Sequence, residues 1–144
     1  MRETGVSPQP WPWVGYPRVL IEHAEESEGT RLATAVREAG YAVAVCPGPP
    51  RAERCPLAGD DGCQAAHGAD VIVSCLGLGT PQSREVLAAL RARCAGTPLV
   101  VEAAPEEEEA WPDLLEGCEV VAPPVTPDAV VAAVIAILEP RSRG

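Results

Sequence analysis

Five short apolar runs recur along the chain, and each is followed by a segment of helical character. The runs are Val19-Leu20-Ile21, Tyr41 to Val45, Asp70 to Cys75, Leu99-Val100-Val101 and Glu119 to Ala122. They are continuous rather than alternating, as strands are when helices cover both faces of a sheet. After the first run, Ser27 to Ala39 reads as a helix with Leu32, Ala35, Val36 and Ala39 on one face and Gly40 as its stop. After the third, Thr80 is an N-cap with Pro81 in the first turn. That helix runs to about Cys94, buries Val86, Leu87 and Leu90, and stops at Gly96. After the fourth, Pro105 and Glu106 to Glu109 open a short helix that Pro112 kinks or breaks. Thr126, Pro127 and Asp128 cap a last helix to about Leu138. Strand–helix alternation of this kind predicts an α/β fold, a three-layer doubly wound sandwich around a five-stranded parallel sheet with right-handed crossovers.

One repeat is weak. Between the second and third strands, Pro47 to Gly68 supplies only about two helical turns, from Asp61 as N-cap through His67. The second helix is therefore expected to be shortened, with a Cys-containing loop in its place, and a loop of this length in a compact domain is often functional. The chain divides into a Pro- and Trp-containing tail (1–17), a domain (18–140) and a short C-terminal tail (141–144). Docking of Trp11 and Trp13 on their own domain is the favoured reading of the first tail.

Composition limits the function. The 144 residues carry 11 Arg, no Lys and 21 acids, for a net charge of −10. Nucleic-acid binding needs a basic face, so it is not expected, and neither is an anionic membrane surface. The longest apolar run, Ala129 to Leu138, is half of what spans a bilayer. No signal core follows the N-terminus, so the expectation is a cytoplasmic protein. Phe is absent, which leaves Val, Leu, Ile and Ala to build the core.

Two stretches single out the carboxyl edge of such a sheet. Ala69-Asp-Val-Ile-Val-Ser-Cys-Leu-Gly-Leu-Gly-Thr-Pro-Gln-Ser-Arg-Glu-Val-Leu-Ala-Ala-Leu-Arg-Ala92 resembles the third strand, acceptor loop and third helix of the receiver domain of two-component response regulators. Thr97-Pro-Leu-Val-Val-Glu-Ala-Ala104 is similar to its fourth strand. Val120-Val-Ala-Pro-Pro-Val-Thr-Pro-Asp-Ala-Val130 is similar to the fifth strand, the turn after it and the last helix. The resemblance covers Arg18 to Leu138 and implies the receiver, flavodoxin-like fold. It also implies where that family's chemistry would sit. Receivers take a phosphoryl group on an Asp at the end of strand three, where this chain has Cys75. Their magnesium-binding acidic pair falls on Glu22/His23 or on His23/Ala24, according to a one-residue register. A Thr or Ser after strand four is Ala103 here, and the Lys of the last turn is Pro123. Magnesium wants oxygen ligands, and a phosphoryl group needs a carboxylate acceptor with cationic support. The reading is a degenerate pocket of Glu22, His23, Cys75, Ala103 and Pro123, in a stand-alone pseudo-receiver that is not an enzyme, carries no cofactor and acts through contact with a protein partner. The family's pairing face, helix four with strand five and helix five, would include Trp111, Leu115, Val120 and parts of Val125 to Leu138, and implies a homodimer.

Other residue sets stand beside this reading. Cys46, Cys55, Cys63 and His67 have the donor types for zinc or an iron–sulfur cluster, which would make the chain a thiol- or metal-based sensor. Their spacing lacks a Cys-x-x-Cys knuckle. A disulfide among the three cysteines and plain unpaired loop thiols stand beside the metal. Cys75 beside His23 or Glu22 is a nucleophile if its thiol pKa is lowered; otherwise it is a small buried residue, the blander and favoured reading. Gly77-Leu-Gly79-Thr80-Pro81 precedes a helix but has Gln82 where the dinucleotide fingerprint needs its third glycine. Glu106 to Glu109 read as a solvated face, and Cys94 and Cys118 as packing residues.

Overall fold

A computed structural model of the chain describes Trp11, residues 15–48 and residues 63–139. The five apolar runs form five strands: β1 (Arg18–His23), β2 (Ala42–Cys46), β3 (Val71–Cys75), β4 (Leu99–Glu102) and β5 (Glu119–Val121). All pairings are parallel, in the order β2-β1-β3-β4-β5. Side chains alternate across each strand. Val19, Ile21, Val71, Val73 and Val100 face one side and Leu20, Ile72 and Val101 the other, and all of them are buried. Both faces are thus apolar, as the unbroken runs require.

On the first side, α1 (Glu26–Glu38) and α6 (Pro127–Leu138) bury Leu32, Ala33, Val36, Val130 and Val134. On the second lie α2 (Gln64–His67), α3 (Pro81–Arg93), α4 (Pro105–Ala110) and α5 (Pro112–Leu115), with Ala65, Ala66, Val86, Leu87, Leu90 and Leu115 inward. Helix starts follow local chemistry. The hydroxyl of Thr80 accepts from the Ser83 N–H (3.1 Å), and that of Thr126 accepts from the Ala129 N–H (3.1 Å). A proline fills the first turn after each. Pro112 breaks the fourth helical segment into α4 and α5, with Trp111 at the joint. Helix α1 begins at Glu26, one residue before the expected Ser27. No side chain caps it, and Glu26 and Glu28 in its first turn face the dipole instead.

In the described residues the second helix is a single turn, Gln64–His67; the expected cap, Asp61, lies outside them. Its inward residues are alanines, which leave a hole that Trp11 fills. The indole is 5 % exposed, its Nε1–H donates to the Ala65 carbonyl (3.2 Å), and the Arg18 guanidinium sits 5.9 Å from its ring. Trp11 thus docks on its own domain, as the favoured reading of the tail expects, and joins the core; Trp13 lies outside the described residues. At the far end of the fold, the Tyr41 hydroxyl donates to the Glu139 carboxylate and ties the end of α6 to the start of β2.

Because Trp11 is an integral core residue, Trp11→Ala is expected to cost about 3–5 kcal/mol, the usual range for deleting a large buried aromatic. Trp11→Phe, which loses the indole hydrogen bond but fills most of the volume, is expected to cost less than half of that. Urea denaturation followed by circular dichroism measures both.

Candidate functional site

In a doubly wound sheet the crevice opens at the carboxyl ends of the strands, where successive crossovers leave in opposite directions. Here that point lies between β1 and β3. The strand register pairs Glu22 with Ser74 and His23 with Cys75. Strand β1 ends at His23, so Glu22 and His23 are the edge residues and Ala24 falls beyond the strand. Helix α1 starts close by. A Cβ on Gly29 would lie 3.2 Å from both the His23 Cβ and the Val45 Cγ1, so the helix passes close over the edge there and a larger residue would press on both. His23 is held by its own loop, its Nδ1 accepting from the Glu25 N–H (3.1 Å).

Glu22 is the anomaly of this edge. It is 4 % exposed in a strand whose neighbours are apolar, and its Oε1 has no hydrogen-bond partner. Burial pushes its pKa up to about 7, against a smaller opposing effect from the Ser74 hydroxyl. Cys75 is also buried. Its thiol is pushed up to about 12, first by burial and then by the carboxylates of Glu102 and Glu22. A thiol held this high stays protonated at neutral pH and is a poor nucleophile. Glu102, at the end of β4, accepts from the Val125 N–H (3.3 Å) and so ties that strand to the loop before α6. Ala103 is fully buried, and its N–H donates to the Val121 carbonyl (3.1 Å). Pro123 lines a cleft of about 430 Å³ with Gly77, Glu102, Ala104, Glu106 and Glu107. The cleft contains three glutamates and no cation. Glu107 is turned inward, its Oε1 accepting from the Ala104 N–H (2.9 Å). Among the described residues that line this cleft, an anion would meet carboxylates and no cationic side chain.

The cysteine set separates into pieces. Cys46 ends β2, and its Sγ accepts from the Gly48 N–H (3.4 Å). Cys55 lies outside the described residues. Cys63 and His67 flank α2, joined by the His67 N–H to Cys63 carbonyl bond (3.0 Å). The structure brings His67 to a residue read from sequence as packing alone: its Nδ1 lies 3.9 Å from the Cys94 Sγ. The Cys94 thiol is raised by burial and then by the nearby Cys63. Cys118 accepts from the Arg91 guanidinium (3.1 Å). Among the described residues, Cys63, Cys75, Cys94 and Cys118 carry free thiols. Among the described residues, no three His, Cys, Asp or Glu side chains converge as a metal would require. Of the residues assigned to a pairing face, Leu115 is buried, and Trp111 turns toward α3, where the Arg84 guanidinium stacks on it at 4.5 Å.

No protein-family model matches this chain, and no curated protein does. Solved structures do. The chemotaxis protein CheY4 of Vibrio cholerae aligns with 86% of this chain and 100% of its own, at 17% identity and a TM-score of 0.62. A CheY-like response regulator receiver domain protein from Methanospirillum hungatei covers 88% of this chain and 96% of its own, at 14% identity and 0.63. A response regulator protein from Burkholderia multivorans covers 84% and 94%, at 22% identity and 0.58. The fold is therefore that of CheY-like receiver domains, as the sequence resemblance implied. No helix among the described residues is long and apolar enough to cross a membrane.

The orphaned carboxyl of Glu22 makes stability depend on pH. Its folded pKa lies above the ordinary value of 4.5, so the folded state holds a proton that the unfolded chain releases. This contribution is complete below about pH 4.5, falls as pH rises to about 7 and is flat beyond. At about 1.4 kcal/mol per unit, the change is about 3 kcal/mol. Glu22→Gln is expected to remove it. The stability difference between variant and parent, from urea titrations at several pH values, should shift by that amount toward the variant between pH 4.5 and 8.

Proposed function

We propose that this chain is a receiver-like regulatory module that does not accept a phosphoryl group and that acts by docking on protein, in the first place on a second copy of itself. The observation that carries this reading is the chemistry of the carboxyl edge. Where a phosphoryl acceptor would stand there is a buried thiol held protonated, flanked by Glu22 and Glu102, beside a cleft with three glutamates and no cation. Phosphoryl transfer depends on positioned positive charge around the transferred group. At positions 103 and 123 the chain offers an alanine and a proline, which supply none.

Docking through α6 has its own support. From Ala129 to Leu138 the helix carries no charge, yet only Val130 and Val134 are buried. Ile135 is 39 % exposed, Ala132 and Ala136 are exposed, and Val131, Ile137 and Leu138 are half-covered. A helix apolar around its whole circumference is normally covered on more than one side. For a chain of net charge −10, two copies approach at least cost where neither presents a charge, and an isologous dimer places the same neutral patch on both.

Treatment with acetyl phosphate and magnesium is expected to add no phosphoryl mass to the intact chain; a stable adduct on the folded protein overturns the first half of the proposal. Sedimentation equilibrium tests the second half. The parent chain is expected to dimerise and Ile135→Glu to weaken the dimer by roughly tenfold or more, since each copy loses an apolar anchor and gains a charge, with its circular dichroism unchanged.

A thiol-based sensor is the second reading, favoured by one contact, His67 against Cys94 with Cys63 beside them. Metal analysis and a thiol count on anaerobically purified protein separate the two. The docking module is expected to hold no stoichiometric zinc or iron and to titrate six thiols when denatured. Bound metal lost in Cys63→Ser would instead support the sensor.

A further inference from the structure

A second surface lies on the opposite side of the sheet from α6. Between α3 and α5 runs a groove of about 780 Å³ whose walls include Arg84, Ala88, Arg91 and Ala92 from α3, with Trp111 and Leu114 facing them. Small and apolar residues alternate in it with four charged ones, Arg84, Arg91, Glu85 and Asp113. Arg84 is held in place twice, donating to the Leu78 carbonyl (2.8 Å) while its guanidinium stacks on Trp111 at 4.5 Å. Arg91 donates to the Cys118 Sγ (3.1 Å). Neither guanidinium has a carboxylate partner among the described residues, although the chain carries 21 acids against 11 arginines. Helix α3 holds three arginines and a single acid, Glu85, whereas α4 holds four glutamates. In an acidic protein, α3 is the positively charged helix.

We infer that this groove is the docking site for an acidic helical segment of a partner protein, with two carboxylates, two turns apart, meeting Arg84 and Arg91. Residues seven apart on a helix share a face and lie about 10.5 Å from one another along its axis. A helix laid along α3 repeats the same spacing, so acids at positions i and i+7 fall on the two arginines. Aliphatic residues at i+3 and i+4 then fall between them, over Ala88, Ala92 and Trp111. Each guanidinium has five N–H donors, is weakly hydrated, and presents a planar fork to a carboxylate. Because both are already fixed by internal bonds, docking restricts them little further. Glu85 and Asp113 also line the groove. They balance the two arginines, so a free anion gains little by entering, and a segment gains only when its carboxylates are correctly spaced. This is a helix-in-groove mode of recognition with charge setting the register.

The probe is a fluorescein-labelled, Ala-based helical peptide with Glu at i and i+7 and Leu at i+3 and i+4. Controls carry Gln at both acid positions, or Glu at i and i+5, which puts the second acid on another face. Fluorescence anisotropy with the full chain at low salt gives the affinities. The i, i+7 peptide is expected to bind at least roughly tenfold tighter than either control. Arg84→Gln and Arg91→Gln are each expected to lower its affinity roughly three- to tenfold with an unchanged thermal midpoint, and Ile135→Glu to leave it unaltered. Equal binding of the Glu and Gln peptides overturns the proposal, and that comparison needs no change to the protein. Equal binding of the i+5 peptide also overturns it, by removing the geometric match. Loss of dimerisation in Arg91→Gln overturns it too, by making a second copy the occupant.

Discussion

A parallel sheet covered on both faces has no place for polar chemistry except its ends. Each strand must be apolar on both sides, because both sides are interior, and the backbone groups of the central strands are consumed by their neighbours. In this chain the pairing of β1 with β3 is the constraint from which the rest follows. It forms the middle of the sheet, fixes the alternation that sends Leu20 and Ile72 to one face and Ile21 and Val73 to the other, and brings Glu22, His23, Ser74 and Cys75 together at one edge. A slip of one residue in that pairing would reverse the faces of a whole strand. The position of Glu22 is thus a consequence of burying Val19, Leu20 and Ile21.

What the sequence disclosed was what is local. Thr80-Pro81 and Thr126-Pro127 mark helix starts because a cap needs only a hydroxyl and the next three residues, and both caps stand where they were expected. Pro112 interrupts a helix by its own ring, and it does so here. Helix α1 starts at Glu26, one residue before Ser27, and no side chain caps it to mark that start. Docking of Trp11 on its own domain is legible in the sequence, but the identity of contacts between residues far apart in the chain is not. Trp11 and Ala65 are 54 positions apart, and His67 and Cys94 are 27. The signal for the first is the composition of α2: its buried residues among those described, Ala65 and Ala66, are small and leave a hole that another segment fills. For the second there was none, since a cysteine at the end of an amphipathic helix reads as packing. The one-residue choice at Glu22/His23 could be made only by knowing where β1 stops against β3.

The acids at the edge explain one another. Glu22 and Glu102 both act on Cys75, and each carboxylate near a buried group raises the cost of charging the next. An aspartate at position 75 would add another carboxylate to this edge with no lysine nearby and, among the described residues, no cluster that would hold a cation. A thiol of similar size, kept neutral, fills the space without adding charge. The neutral thiol at position 75, a chain without lysine and the raised pKa of Glu22 are then parts of one electrostatic arrangement. The same arithmetic governs the outside. In a chain of net charge −10, the uncharged stretch of α6 from Ala129 to Leu138 and the arginines Arg84 and Arg91 of α3 depart from the acidic character of the whole. They lie on opposite faces of the sheet.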